Sequence, residues 1–208
     1  MTYKFIVVIG DIVLSRKIKD RVSFDEIMLN TMEELNQHNP GILSPYTLTI
    51  GDEIQAVFKE ASSLFHDAIS ILTAIYPGKM RFSFGVGELT KPINPERAIG
   101  MDGPAFYNAR VGIGLLKKTT DLFYISGEDI PHLNLLRQIL TLISFHMSKW
   151  NRTRLQTLMM LQDRVCVKEI AARLQISDKA VYKTISAGNL DVIIQLFNNI
   201  ETILNECV

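Results

Sequence analysis

Residues 7–21, VVIGDIVLSRKIKDR, carry an apolar run into an acid. Val7, Val8 and Ile9 are β-branched and read as the end of a buried strand. Gly10-Asp11 closes the run, and Ser15, Arg16 and Lys17 follow directly. An acid at the mouth of a buried strand suits two roles. It can cap the turn through its own backbone, or it can hold a metal-bound phosphate with hydroxyl and basic groups behind it. Gly51-Asp52-Glu53 poses the same choice, since the strand-like segments 46–50 and 54–58 flank it as a β-hairpin.

Working outward, residues 3–9 form the first strand. Phe24, Ile27, Met28, Met32 and Leu35 recur at helical spacing within 22–38. The segment 39–45, NPGILSP, reads as a turn-rich connector. A second amphipathic helix spans 60–75 and stops at Pro77-Gly78. Residues 80–89 alternate as a strand. A helix over 104–118 starts with Pro104 in its first turn, and LFYIS, 122–126, is the last strand. The order β-α-ββ-α-β-α-β predicts an α+β fold, a ferredoxin-like βαββαβ sheet. Beyond Ile130 strand signals vanish. Gly127 and Pro131 mark a boundary, giving an α+β part over 1–128 and an all-α part over 129–208.

In the second part, residues 165–188, VCVKEIAARLQISDKAVYKTISAG, have the pattern of a helix-turn-helix over about 167–187. Ile170, Ala171 and Leu174 share one face, Ser177 suits an N-cap, and Val181 and Ile185 point inward. Lys179, Tyr182, Lys183 and Ser186 then point outward with Asp178. Lys168, Ser177, Lys179, Tyr182 and Lys183 are the candidate DNA contacts. Between Lys149 and Ala187 eight basic residues face three acidic ones, a local surplus of five in a chain of zero net charge. That is the footprint of a small DNA-contacting face, whereas zero net charge excludes a surface that grips nucleic acid all over. A helix-turn-helix serving protein contacts alone is the other reading. Residues 190–204 are apolar at helical spacing, enough to cover the bundle and pair with a second copy, so a homodimer is expected.

The 208 residues are 47% apolar, enough for a sizeable core. Two cysteines, Cys166 and Cys207, make no disulfide framework or ligand cluster. The opening MTYKFIVVIGD has no signal peptide character. No run approaches the roughly 18 apolar residues of a membrane span. A soluble cytoplasmic protein is expected.

GDIVLSR (10–16) resembles the aspartate-bearing first-strand motif of class III nucleotidyl cyclases. TIGDEIQAVF (49–58) resembles their hairpin, and residues 81–113 their later strand, Gly-rich loop and helix. The resemblance implies that Asp11 and Asp52 bind Mg²⁺ or Mn²⁺, and that Arg110 steadies a transition-state phosphate if the chain is an enzyme. Where that family carries a base-reading lysine and a ribose-orienting asparagine, this chain has Leu48 and Phe106, with Asn108 close by. Ser15, Arg16, Asp102, Gly103, Asn108 and Arg110 are the candidate phosphate or ligand contacts, the helix start at 102–104 offering free N–H groups to an anion. Phe106 itself reads as core. The whole chain is similar to the SatD family of bacterial proteins, which shares the G-D-I-x-x-S-R opening, the G-D-E-x-Q hairpin and the D-G-P-A-F helix start. Together these features point to a DNA-binding transcriptional regulator with a cyclase-like domain that senses a nucleotide or metal-phosphate. The alternative is a divergent metal-dependent nucleotidyl or phosphoryl transferase with a helix-turn-helix targeting module.

Overall fold

The computed structural model describes residues 3–49 and 52–208. Strands β1 (Phe5–Ile12), β2 (Ile42–Leu48), β3 (Glu53–Phe58), β4 (Met80–Gly87) and β5 (Phe123–Ser126) form one mixed sheet in the order β2-β3-β1-β4-β5. β1 runs antiparallel to both β3 and β4, β2 antiparallel to β3, and β5 parallel to β4. Through β4 this is the ferredoxin-like arrangement, and β5 extends it by one parallel strand.

β1 is central because its side chains are apolar on both faces. Ile6, Val8 and Ile12 join a core with Ile54, Phe58, Phe82 and Phe84. Val7 and Ile9 face the opposite way and meet Val57 and the helix α3 (Pro104–Leu116). α3 lies close to β4: a methyl at Gly85 would run into the Ala105 carbonyl and the Ala109 amide.

Several boundaries differ from the sequence reading. β1 continues through Ile12, so Asp11 stands inside a central strand and does not end one. β2 starts at Ile42, within the stretch read as a connector. Two register shifts let this edge strand accommodate Pro45, which has no amide to donate. Glu53, read as part of the turn, opens β3, whereas Ile50 of the predicted strand and Gly51 of the predicted turn lie outside the described residues. α3 takes Gly103 as N-cap, at φ 140°, with Pro104 following and Asp102 one residue before it.

The first face of the sheet is covered by α1 (Arg21–His38), α2 (Leu64–Ala74) and three later helices, α4 (Leu133–Met147), α5 (Arg152–Gln162) and α8 (Leu190–Asn205). One cluster of buried residues runs through all of them, from Met28 and Phe65 to Leu140, Leu158 and Phe197. Phe197 stacks on Phe65 with ring centroids 4.3 Å apart and meets Phe123 edge-on at 5.9 Å. α6 (Val167–Leu174) and α7 (Asp178–Gly188) have a small cluster of their own, Ile170, Ala171 and Val181, seated on Met160 of α5. Among the described residues no helix is long and apolar enough to cross a membrane.

α8 also completes the start of α2. Ser63, the N-cap of α2, makes no side-chain capping bond. Glu201 of α8 instead accepts from the Phe65 amide at 3.0 Å, and Asn205 from the Ala61 amide at 2.6 Å. The Phe65 amide is one of the orphan N–H groups of the helix N-terminus, and Ala61 lies just before the helix. Burial pushes the Glu201 carboxyl up to about 7. Next to it His66 lies 3.6 Å from Asp67 and 2.8 Å from Asp163 of the α5–α6 connection. The bond to Asp67, reinforced by Asp163, raises His66 to about 9.

Two outcomes follow from this packing. Phe197→Ala removes a fully enclosed ring and lowers unfolding free energy by about 3–5 kcal/mol in denaturant titration. In both raised groups the folded state holds its proton more tightly than the unfolded chain, so each loses stabilisation as pH rises. For His66 the window runs from 6.5 to about 9, and for Glu201 from 4.5 to about 7. Melting temperature therefore falls with pH across both windows. His66→Gln flattens the upper window and Glu201→Gln the lower; an undiminished slope in either variant contradicts the pairing.

Candidate functional site

Register sets three charged residues in one row across the sheet: Glu53 on β3, Asp11 on β1 and Arg81 on β4. Residues paired in register project from the same face, here the face under α3. Asp11 is only 7% exposed. A buried carboxylate must be paired, and Asp11 is paired twice. Arg81 Nη1 lies 3.1 Å from one oxygen and Lys117 Nζ 2.8 Å from the other. Lys117 also reaches Glu53 at 3.4 Å, and Arg110 Nη1 stands 3.7 Å from the second Glu53 oxygen. The bond to Asp11 holds the Lys117 ammonium above its ordinary value.

α3 sets this arrangement. Gly112 lets it sit directly on Ser83, where any β-carbon would collide with the hydroxyl. Its C-terminal end then delivers Lys117 to Asp11. Arg110, two turns earlier, lies over Gln55, whose amide accepts from Arg110 Nη2 at 3.1 Å and donates to the Ala98 carbonyl at 3.2 Å in the orientation that satisfies both.

Asp52 is a separate subsite. It has φ 70° and bonds Arg21 of α1, which also holds Asp25 at 2.8 Å. The Ser15 hydroxyl, then Arg21, hold its carboxyl below the ordinary value, with Arg16 adding to the field. Ser15, Arg16 and Asp52 are thus brought together. Asp11 lies in β1 and Asp52 directly precedes the neighbouring β3, the Ile12 amide donating to the Asp52 carbonyl at 3.3 Å, but their carboxylates have different partners. A shared Mg²⁺ or Mn²⁺ would have to displace Lys117 from Asp11 and Arg21 from Asp52. As arranged, these residues do not fit a metal centre. Among the described residues no group of three or more His, Cys, Asp or Glu side chains is placed to hold an ion. The backbone amides of Ile12 and Val13 are bonded to the carbonyls of Asp52 and Lys79, at 3.3 and 2.8 Å, and offer nothing to a phosphate.

Beside the row opens a pocket of about 410 Å³, lined by Thr49, Glu53, Gln55, Asp102, Tyr107 and Arg110 among others. The Tyr107 hydroxyl donates to Asp102 at 3.0 Å, and the same carboxylate accepts from the Gly103 amide at 2.9 Å. Gly103 therefore has no free N–H for a ligand. Phe106 is buried beneath the pocket. Asn108 does not join Arg110: it donates to the Val86 carbonyl at 2.9 Å and borders a second cavity of about 270 Å³ with Lys4, Glu88, Glu128 and Asp129. The α3 start packs on Gly87, six residues along β4 from Arg81, or about 20 Å at strand rise. It stands at the far end of the sheet from Asp11, and Arg110 lies between. The pocket thus offers one largely exposed guanidinium to an anion, flanked by a carboxylate, an amide and a phenol that can bond hydroxyl or amino groups.

Arg21, Arg81 and Lys117 are not among the site residues read from the sequence, and no motif singles them out; Gln55 stands in the G-D-E-x-Q hairpin motif, which by itself assigns it no role. The one available signal is positional, because Arg110 and Lys117 are seven residues apart on one helix face.

At the other end of the chain, α6 and α7 are joined by three residues. Gln175 takes φ 55°, and the amides of Gln175 and Ile176 bond the carbonyls of Ala172 and Ala171 at 3.3 and 3.0 Å. That is a Schellman closure with glutamine where glycine is usual. Ser177 caps α7 by accepting from the Ala180 amide at 3.2 Å. Lys168, Ser177, Lys179, Tyr182 and Lys183 are all exposed. His146 of α4 lies 3.0 Å from the Gly188 carbonyl, tying the end of α7 to the sheet layer.

The SatD family model matches residues 5–204. Two solved structures, each described as a bacterial light-regulated adenylyl cyclase, are similar to the chain at 14% identity over 59% of its length. One gives a TM-score of 0.42 over 75% of that chain, the other 0.39 over 42%. No curated protein matches.

Lys117 separates two like charges that face each other across neighbouring strands. Lys117→Met should lower stability by about 1 kcal/mol at neutral pH. The loss should be smaller in a Glu53→Gln background, where the two like charges no longer face each other. Denaturant unfolding of the single and double variants checks this, and an equal loss in both backgrounds contradicts the charge pairing.

Proposed function

The chain belongs to the SatD family, and from that premise we propose that it is a DNA-binding regulator whose sheet part senses a nucleotide or another phosphate-bearing small molecule. The observation that carries the reading is the outer face of α7. Lys179, Tyr182 and Lys183 stand together on one exposed side of a helix whose inner side is fixed by Val181 and whose start is capped by Ser177. A second helix held over a first by a three-residue turn suits the major groove, with lysines on phosphates or guanine.

The Arg110 pocket supports the sensing half. A guanidinium is the side chain best matched to phosphate, and Glu53, Gln55 and Tyr107 suit the hydroxyls of a sugar. A ligand acts only by its different affinity for two states of the chain. Two histidines touch the helices that lead into and out of the α6–α7 pair, His146 on the Gly188 carbonyl at the end of α7 and His66 on Asp163 at the end of α5. Both would register a shift of α2 or α4. In this reading the Asp11–Lys117 pair anchors α3 and needs no metal.

The intact chain should bind duplex DNA with strong salt dependence. Lys179→Ala/Lys183→Ala should weaken binding at every sequence and reduce the slope of log affinity against log salt by about 2. No binding by the intact chain at low salt overturns the regulator. A nucleoside triphosphate should raise the melting temperature of the chain without being consumed, and Arg110→Ala should abolish that rise. Turnover with Mg²⁺ that disappears in Asp11→Ala favours the transferase instead.

A further inference from the structure

We infer that the pocket beside Arg110 takes a small molecule with a single negative charge, a phosphodiester, whose remaining polar groups are hydrogen-bond donors. The inference rests on the phosphate-sensing reading of this pocket and narrows it to one charge state and one hydrogen-bonding polarity.

Charge sets the first limit. The row under α3 holds the cations Arg81, Arg110 and Lys117 and the carboxylates Asp11 and Glu53. Asp11 is taken by Arg81 at 3.1 Å and Lys117 at 2.8 Å. Glu53 is shared between Lys117 at 3.4 Å and Arg110 at 3.7 Å. One positive charge is left over, and it stands on Arg110, whose side chain is 57% exposed. A single negative charge on a ligand completes the balance. A second would face Glu53 and Asp102, which both line the pocket, and like charges at short range repel. A phosphodiester brings one charge, whereas a phosphate monoester brings about two at neutral pH and a polyphosphate more.

Hydrogen bonding sets the second limit. The Thr49 hydroxyl donates to the Glu53 carbonyl at 3.1 Å and the Tyr107 hydroxyl to Asp102 at 3.0 Å. Each has spent its one proton and can only accept, as the carboxylates of Glu53 and Asp102 also do. Gln55, itself buried, is engaged at both ends of its amide, by Arg110 and by the Ala98 carbonyl. The side chains of the pocket thus surround one cation with acceptors. A ligand ring bearing hydroxyl or amino groups satisfies them, and a carbonyl-rich one leaves acceptor facing acceptor.

Titration calorimetry of the full chain, without divalent metal, tests both limits. For adenosine, guanosine, cytidine and uridine, the 5′-(methyl phosphate), 5′-monophosphate and 5′-triphosphate are compared. For the best-bound nucleoside the methyl phosphate should bind about tenfold more tightly than the triphosphate. Glu53→Gln and Asp102→Asn should each shrink that ratio, whereas a merely structural role for either residue would weaken all three compounds alike. Removing both ribose hydroxyls from the methyl phosphate should weaken binding about fivefold or more, because acceptors then face no donor. A triphosphate bound as tightly as the methyl phosphate overturns the inference and leaves the phosphate-sensing reading standing. So does a deoxygenated compound bound as well as its parent, or a ratio unmoved in both variants. If no compound binds, the reading and the inference fall together.

Discussion

A carboxylate inside the central strand of a sheet has to be neutralised where it stands. Asp11 is flanked by β3 on one side and β4 on the other, so water reaches it poorly and no loop can carry it outward. Arg81 answers it from the next strand and Lys117 from the helix above. That second contact settles where α3 ends. It also places Arg110 beside Glu53, gives the pocket one wall, and leaves the guanidinium half exposed to the pocket. The glycines at 85 and 112 are the steric counterpart: they let α3 come close enough for Lys117 to reach.

The opposite face of the sheet is organised by aromatic packing. Phe65 of α2 stacks on Phe197 of α8 and contacts Phe84 and Phe123 edge-on. An element from the last twenty residues is therefore part of the same core as β4. Glu201 and Asn205 strengthen the arrangement by bonding the amides at the start of α2. Removing either carbonyl-bearing side chain leaves orphan donors in a dry place, which costs more than the bond itself contributes. The helices α6 and α7, by contrast, rest on a small cluster of their own. They are the part of the chain with the least shared burial, and so the part best able to shift relative to the rest.

The same balance explains why a charged rim and an open pocket coexist. Asp11, Asp52 and Glu53 are matched by Arg21, Arg81, Lys117 and Arg110, so the rim carries no surplus negative charge to attract a free cation. What it leaves unmatched is the outward side of Arg110. The chemistry on offer is anion recognition framed by hydrogen-bonding groups.

Order and type of the elements were legible in the sequence, because apolar periodicity, proline and glycine act locally. The strand at 5–12, the helices at 21–38 and 104–116, and the turn at 175–177 each announce themselves within a few residues. The pocket was legible only in Asp102 and Arg110. The charged row beside it depends on which strand lies beside which: Arg81 is 70 residues from Asp11 and Glu53 is 64 from Lys117. Asp52 reads as the partner of Asp11 in sequence, yet a single residue's change of direction sends it to Arg21, while Glu53 takes the place opposite Asp11. Local propensity cannot see this, since strand register and the pairing of buried charges are set by contacts between segments that meet only when the chain is folded.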